Sequence, residues 1–134
     1  MEGYLFETRI QVRWRDLDPF GHVNNAAFAS YVEVARAELW RHRFHGTSAE
    51  DIPFVIARLE IDYRRPLELY DEVVVGLRTA DLRGSSFAFE YRIEANGELA
   101  AEARTVQVCL GPDRRRPVRV PAELRARLER LAGP

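Results

Sequence analysis

One long amphipathic segment early in this chain of 134 residues most limits what it can fold into. Residues 26–44 predict a helix that Asn24 or Asn25 can cap and Gly46 can end. Segments of strand character lie on both sides of this helix, one before it and four after it. Because only one pair of strands has a helix between its members, the order favours an antiparallel sheet wrapped around a single helix. The apolar stripe of the helix consists of Phe28, Tyr31, Val32, Ala35 and Leu39.

The strand segments alternate apolar and polar residues, as half-buried strands do. The first ends near Arg15 and places Trp14 on its apolar face, and Asn96-Gly97 joins the last two as a hairpin turn. In the last strand the apolar parity changes near Thr105, which suggests a bulge or a switch of face. The predicted strands span residues 6–15, 54–63, 72–80, 86–94 and 99–110. A short C-terminal helix completes a five-stranded α+β fold.

Length, charge and cysteine content exclude several classes of protein. A chain of 134 residues has room for one domain, which we expect to span residues 1–134. The formal net charge of −1 creates no global field that would recruit nucleic acid or an anionic membrane. The sequence has neither a signal-peptide pattern nor a long apolar run, which predicts a cytoplasmic protein without membrane association. Cys109, the single cysteine, lies in an apolar run and is expected to be a buried, inert thiol.

The segment between the first strand and the long helix concentrates the groups that carry chemistry. Residues 18–25 combine a carboxylate, an imidazole and two amides directly before the start of the helix. A carboxylate that faces a helix N-terminus can attack an acyl carbonyl or activate water to do so, while backbone N–H groups stabilise the oxyanion. The segment therefore points to acyl transfer to water.

Two stretches resemble a known family. Residues 15–25, RDLDPFGHVNN, followed by YVEVAR at 31–36, are similar to the signature of hotdog-fold acyl-CoA thioesterases, closest to the 4-hydroxybenzoyl-CoA thioesterase type. Residues 63–71 resemble that family's turn between its second and third strands. The resemblance covers nearly the whole chain and implies a hotdog fold that hydrolyses an acyl-CoA to a free acid and CoA. It also implies a homodimer or homotetramer, and neither cofactor nor metal is expected, because a thioester is already an activated acyl group.

The resemblance carries catalytic roles to three positions. Asp18 takes the place of the family's general base or nucleophile, and the backbone N–H of Asn25 that of the donor to the thioester carbonyl. His22 takes the place of the catalytic histidine of the plant acyl-carrier-protein thioesterases. Their catalytic asparagine falls on Phe20, so a complete Asp/Asn/His set is absent and the role of His22 stays open. Asp16 is expected to hold the loop or to pair with an arginine.

A second group of residues is expected to bind substrate. The aromatic side chains among them fit an acyl pocket and the core equally well. Arg83 precedes the fourth strand, where the family's basic residues contact the nucleotide of CoA. The arginine run at 114–116 is interpreted as a solvated charged segment. The expected substrate-binding residues are Asn24, Phe28, Tyr31, Tyr63 and Arg83.

Two other functions remain open on the sequence alone. One is a hotdog enoyl-thioester hydratase, which would hydrate its substrate without releasing thiol. The other is a non-catalytic domain that binds acyl-CoA. A metal site built from Asp16, Asp18 and His22 is not expected, because their spacing matches no standard site.

Overall fold

A computed structural model of the chain describes residues 1–44 and 53–133. The elements of these residues are numbered below in chain order, and a short 3₁₀ turn, Trp14–Asp16, lies between the first strand and the first helix. The bounds are β1 Phe6–Ile10, α1 Asn25–Arg43, β2 Phe54–Tyr63, β3 Val73–Ala80, β4 Ser86–Ala95, β5 Glu98–Cys109 and α2 Ala122–Arg130.

The strands form one antiparallel sheet in the order β1–β3–β4–β5–β2. The first two strands in sequence are therefore the two edges of the sheet. Because α1 connects these edges, the chain must pass from one side of the sheet to the other over one of its faces. The strand order and the helix confirm the predicted antiparallel sheet around a single long helix.

α1 begins and ends within one residue of the predicted helix. All five residues of its apolar stripe are buried, with Val32 and Ala35 completely inaccessible to solvent. Asn24 caps the helix, since its side-chain oxygen accepts a hydrogen bond from the N–H of Ala26 at 2.8 Å. Gly46, the predicted end of the helix, lies outside the described residues.

The β4–β5 hairpin turns at Asn96-Gly97 as predicted. Both residues have positive φ angles, 53° and 83°, which a two-residue hairpin turn of this kind requires. The pairing slips near this turn, because Ile93 lies opposite Ala101 whereas Glu94 lies opposite Leu99. Ala100 is thereby left over as a bulge in β5.

The predicted bulge or change of face near Thr105 is wrong. Alternate residues from Ala101 to Cys109 stay buried on one face of β5, and two of them, Thr105 and Gln107, are polar. The hydroxyl groups of Thr105 and Tyr91 lie 2.6 Å apart and satisfy one another, so a polar residue can occupy this inner position. Because these two inward-facing residues are polar, the apolar alternation in the sequence is interrupted although the same face of the strand stays buried. A second bulge lies in β2, where pairing shifts between Ile56 and Arg58.

β1 is shorter than its alternation predicts. The strand ends at Ile10, and Trp14 lies in the 3₁₀ turn with 78% of its surface exposed. The pattern is misleading because Val12 is still buried after the strand has ended. The chain leaves the sheet early enough to build the loop that precedes α1.

The C-terminal segment packs against the core as predicted. Leu124, Leu128 and Leu131 are buried, and the N–H of Thr79 in β3 donates to the carbonyl of Leu131 at 2.9 Å. Cys109 is fully buried, and burial raises the pKa of its thiol. It is therefore the inert thiol expected from the sequence.

β2 is an edge strand with an unusual surface. Val55, Ile56, Leu59 and Tyr63 are each exposed although they are large and apolar or aromatic. A strand edge also presents unpaired backbone groups that can pair with another chain. This edge is consequently the part of the sheet best suited to contact a second molecule.

Replacement of Leu39 by alanine tests the buried stripe of α1. Leu39 is 1% exposed, so we expect Leu39→Ala to lower the free energy of unfolding by about 2–5 kcal/mol through lost burial and a cavity. Val34→Ala on the exposed side of the same helix should cost much less. Chemical denaturation of both variants measures the difference, and equal losses would contradict this orientation of the helix.

Candidate active site

The loop between β1 and α1 folds back on itself before the helix begins. Leu17 and Val23 form an isolated antiparallel bridge, and the N–H of Asp18 donates to the carbonyl of His22 at 2.7 Å. Gly21 adopts a φ of 83° at the tip, a conformation that glycine enters without steric cost. The loop is thus a closed turn with Asp18 and His22 at its base.

The two oxygens of Asp18 have different surroundings. Oδ1 accepts hydrogen bonds from the N–H groups of Phe20 at 2.9 Å and His22 at 3.1 Å. Oδ2 has no hydrogen-bond partner among the described residues. The backbone therefore orients the carboxylate through one oxygen and leaves the other available to a substrate or a water molecule.

The N-terminus of α1 presents a second reactive feature. Asn25 is the first residue of the helix, so its N–H has no acceptor within the helix, and the described residues supply none from elsewhere. The aligned peptide dipoles add partial positive charge at this end. The N–H of Asn25 is suited to bind an oxygen that gains negative charge.

The buried carboxylate of Asp16 holds this loop against α1. Asp16 is 4% exposed; its Oδ2 accepts from the hydroxyl of Tyr31 at 2.7 Å, and its Oδ1 from Nη2 of Arg13 at 2.9 Å. The main-chain carbonyl of Asp16 accepts from the N–H of Asn24 at 2.7 Å. Burial alone would raise the pKa of Asp16, but the hydrogen bonds from Arg13 and Tyr31 outweigh it and lower this pKa. Asp16 therefore pairs with an arginine, as the sequence predicted, and ties the loop to the second turn of α1.

A cleft of about 310 Å³ opens beside the loop and the helix start. One side of it is apolar or aromatic, and another carries two arginines. The residues that line it are Asp18, His22, Val23, Asn25, Phe28, Tyr63, Arg64, Arg65 and Pro66.

The end of β2 and the residues after it form one wall of this cleft. The hydroxyl of Tyr63 donates to the carbonyl of Asn25 at 3.0 Å, and its ring meets Phe28 edge to face at 5.0 Å. The carbonyl of Leu67 accepts from the N–H of Val23 at 2.8 Å. These contacts attach the wall to α1 at Asn25 and Phe28, and to the loop before the helix at Val23.

Five of the residues that the sequence assigned to catalysis or substrate binding line the cleft together. Asn24 does not line it, but holds the helix start beside it as the cap. The five are Asp18, His22, Asn25, Phe28 and Tyr63.

Two residues expected to bind substrate lie elsewhere in this chain. Tyr31 is buried, and its hydroxyl is used by Asp16. Arg83 lies in the loop between β3 and β4, where its N–H donates to Ser86 and its carbonyl accepts from Arg125. Neither lines the cleft, so the geometry of the single chain does not support their assignment to substrate binding.

The sequence reasoning missed Arg64 and Arg65 as cleft residues. The signal was present, since both follow Tyr63 directly and precede Pro66, which cannot continue a regular strand. Tyr63, the last residue of β2, was already assigned to the pocket. The two arginines directly after it therefore indicate a charged rim.

Comparisons with known proteins agree with this architecture. The structure superimposes with a TM-score of 0.87 on a thioesterase from Thermus thermophilus solved with coenzyme A and Zn, with 46% identity over 98% of this chain and 97% of that one. The long-chain acyl-CoA thioesterase FadM of Escherichia coli K12 is 32% identical over 93% of this chain and 98% of its own. The acyl-CoA thioester hydrolase YbgC of Escherichia coli O6:H1 is 30% identical over 92% and 96%.

A single antiparallel sheet around one long helix is the hotdog fold. The three relatives reported above are named as thioesterases or thioester hydrolases. The family model of the thioesterase-like superfamily matches residues 12–128, which include the loop, the helix and the cleft wall. The chain belongs to this superfamily and is a thioester hydrolase.

The donor set of the described residues does not fit a zinc ion. No three His, Cys, Asp or Glu side chains come together in residues 1–44 and 53–133 in a way that could hold a metal. Neither α1 nor α2, the helices of those residues, has the length and apolar character needed to cross a membrane.

The bond between Tyr31 and Asp16 can be tested by Tyr31→Phe. Loss of the hydroxyl leaves a buried carboxylate oxygen with fewer donors, and we expect the free energy of unfolding to fall by about 1.5–3 kcal/mol near neutral pH. Because the pKa of Asp16 is lowered in the folded protein, its contribution is present above the ordinary carboxyl pKa. That contribution is lost as the pH falls through the lowered value, so the gap between wild type and variant should narrow in acid.

Denaturation at several pH values measures this gap. Tyr70→Phe serves as the control, since Tyr70 is 93% exposed and should change stability little at any pH. A constant gap across the acid range would contradict a role for the ionised Asp16.

Proposed function

We propose that the chain hydrolyses an acyl-CoA to a free carboxylic acid and CoA at the cleft between the loop and α1. The observation that carries this proposal is that Asp18 and Asn25, the first residue of α1, line one cleft. The names of FadM and YbgC describe acyl-CoA hydrolysis, and the Thermus thermophilus relative was solved with coenzyme A. These relatives support the same substrate class for this chain.

The proposed chemistry uses two groups that have no hydrogen-bond partner among the described residues, the N–H of Asn25 and Oδ2 of Asp18. The thioester carbonyl oxygen accepts the N–H of Asn25, which stabilises the negative charge that develops on it. Oδ2 of Asp18 takes a proton from a water molecule that attacks the carbonyl carbon, or attacks that carbon itself to form an anhydride that water then cleaves. In both routes the carbon–sulfur bond breaks, the thiolate of CoA leaves and the acyl group gains a hydroxyl.

The other cleft residues have supporting roles in this proposal. His22 lies next to the carboxylate, and its ring has no hydrogen-bond partner among the described residues, so it can orient water. The exposed ring of Tyr63 forms the aromatic side of the cleft, against which the acyl group packs, and the buried ring of Phe28 supports it from behind. Asn24 acts through the cap that holds the helix start.

Matched substitutions at Asp18 and Asn25 test the assignment. Asp18→Asn should lower kcat by a factor of ~10² or more, because the carboxamide can neither accept the proton nor attack. Asn25→Ala should cost much less, since the backbone N–H is retained. Sustained thiol release from a panel of acyl-CoAs measures both rates, with circular dichroism to verify folding.

Two outcomes would contradict the proposal. A larger loss in Asn25→Ala than in Asp18→Asn would mean that the reacting group is wrongly assigned. The absence of thiol release from every thioester would contradict the reaction itself.

We also propose that the chain forms a homodimer through β2. The exposed side chains on this free edge, Val55, Ile56 and Leu59 among them, support it, because a second copy would cover both the apolar surface and the unpaired backbone groups. Antiparallel pairing of two identical edges also satisfies two-fold symmetry.

Leu59→Arg tests the edge. Leu59 is 43% exposed, so the arginine should fit the monomer without loss of folding, but it would place like charges together in a β2 interface. Light scattering coupled to size exclusion should show the molar mass of the monomer, 15.5 kDa, for this variant and twice that for wild type. Leu5→Arg, at a similarly exposed position before β1, should not change the mass. A dimer that persists in Leu59→Arg would contradict this interface.

A further inference from the structure

Most of the backbone hydrogen-bonding groups around the α-carbon of Asn25 already have partners. The carbonyl of Asn24 accepts from the N–H of Ala27 at 2.8 Å, and the N–H of Ala26 donates to Oδ1 of Asn24 at 2.8 Å. The carbonyl of Asn25 accepts from the hydroxyl of Tyr63 at 3.0 Å. The peptide groups on both sides of Asn25 are therefore fixed, and its own N–H is left without an acceptor among the described residues.

The hydroxyl of Tyr63 is the partner in this set that comes from the sheet, since the other two hydrogen bonds lie within residues 24–27. Tyr63 ends β2 and pairs with Ala101 of β5. Its ring meets the buried ring of Phe28 edge to face at 5.0 Å. Backbone pairing and ring packing together hold the hydroxyl in place, so it can act as a fixed donor.

The segment that begins with Tyr63 also holds the loop that carries Asp18. The carbonyl of Leu67, which is completely buried, accepts from the N–H of Val23 at 2.8 Å. Val23 belongs to the closed turn that has Asp18 at its base. Residues 63–67 thus contact both parts of the site, the start of α1 through a hydroxyl and the Asp18 loop through a carbonyl.

The position of an oxyanion donor affects the rate strongly. A donor is effective at about 2.7–3.1 Å from the oxyanion, and a misplacement of about 1 Å can cost a factor of ~10² in rate. The first turn of a helix frays readily, because its N–H groups have no partners within the helix. A hydrogen bond from the end of a paired strand to the carbonyl of Asn25 limits this motion at the residue that carries the donor.

We propose that the hydroxyl of Tyr63 is a positioning group, which holds Asn25 so that its N–H keeps a fixed place relative to Asp18. This inference rests on the proposed function, because it takes the N–H of Asn25 to be the oxyanion donor. The ring and the hydroxyl of Tyr63 then have separate roles. The ring packs against the acyl group, whereas the hydroxyl acts through Asn25 without touching the substrate.

Two substitutions of Tyr63 separate these roles. Tyr63→Phe keeps the ring, so we expect kcat for an acyl-CoA to fall about tenfold while KM changes less than twofold. Tyr63→Leu also removes the ring, and KM should then rise about fivefold in addition to the loss in kcat. Tyr70→Phe is the matched control, because Tyr70 is 93% exposed and does not line the cleft. It should leave kcat and KM at the wild-type values.

Amide hydrogen exchange, measured by NMR on the free protein, reports on the start of α1 without any turnover. In Tyr63→Phe the N–H groups of Ala26 and Ala27, which are hydrogen-bonded to Asn24, should exchange about fivefold faster. The N–H of Leu39, further along the same helix, should exchange at the wild-type rate. This pattern distinguishes a local loss of order from a general loss of stability.

Three results would overturn the inference. The first is an unchanged kcat in Tyr63→Phe. The second is a lower kcat with unchanged exchange at Ala26 and Ala27, since the hydroxyl would then act on the substrate directly. The third is an equal increase in exchange at Leu39, since the hydroxyl would then stabilise the whole fold. The absence of thiol release from wild type would instead overturn the proposed function, and the exchange rates would still test whether Tyr63 holds Asn25.

Discussion

The burial of one face of α1 by a single antiparallel sheet determines where the start of this helix, and the candidate site beside it, can lie. The helix must bury its apolar stripe, yet its first N–H groups have no partner within the helix and cannot be placed in an apolar core without cost. The helix start therefore lies at the margin of the sheet, where Asn24 caps one N–H and Asn25 lines a cleft. The requirement that stabilises the core thus also leaves an N–H without an acceptor among the described residues at the helix start.

Asp16 and Asp18 are only two residues apart, but their carboxylates differ in burial and in hydrogen bonding. Asp16 is buried and receives donors from Arg13 and Tyr31, which lower its pKa and use its oxygens in structure. Asp18 is half-buried, and the backbone of the loop uses only one of its oxygens. The first carboxylate holds the turn against the helix, and the second keeps one oxygen without a hydrogen-bond partner among the described residues.

Periodicity in the sequence predicted most of this fold, because burial follows the side-chain alternation directly. The bounds of β2 agree with the prediction residue for residue, and the stripe of α1 is buried as expected. The predictions at Trp14 and Thr105 were wrong for one reason. A local sequence pattern does not show which residues lie opposite a given residue in the fold. Trp14 continues an alternation after the strand has ended, and Thr105 interrupts one although its hydroxyl is satisfied across the sheet by Tyr91.

The candidate site was predictable to a similar degree and for a similar reason. Asp18, His22 and Asn25 are close in sequence, so a short motif could place them together, and they do share the cleft. Tyr31 was placed in the pocket because its helical position cannot reveal that Asp16 lies within 2.7 Å of its hydroxyl.

The arginines of the cleft escaped prediction because the strand that positions them is far away in the sequence. Nothing around Arg64 in the sequence indicates that its N–H and that of Arg65 both donate to the carbonyl of Ala100 in β5. Since Tyr63 pairs with Ala101, the first of these hydrogen bonds continues the β2–β5 pairing, and the second extends it past the end of β2. The charged rim of the cleft thus depends on hydrogen bonds between segments far apart in the chain.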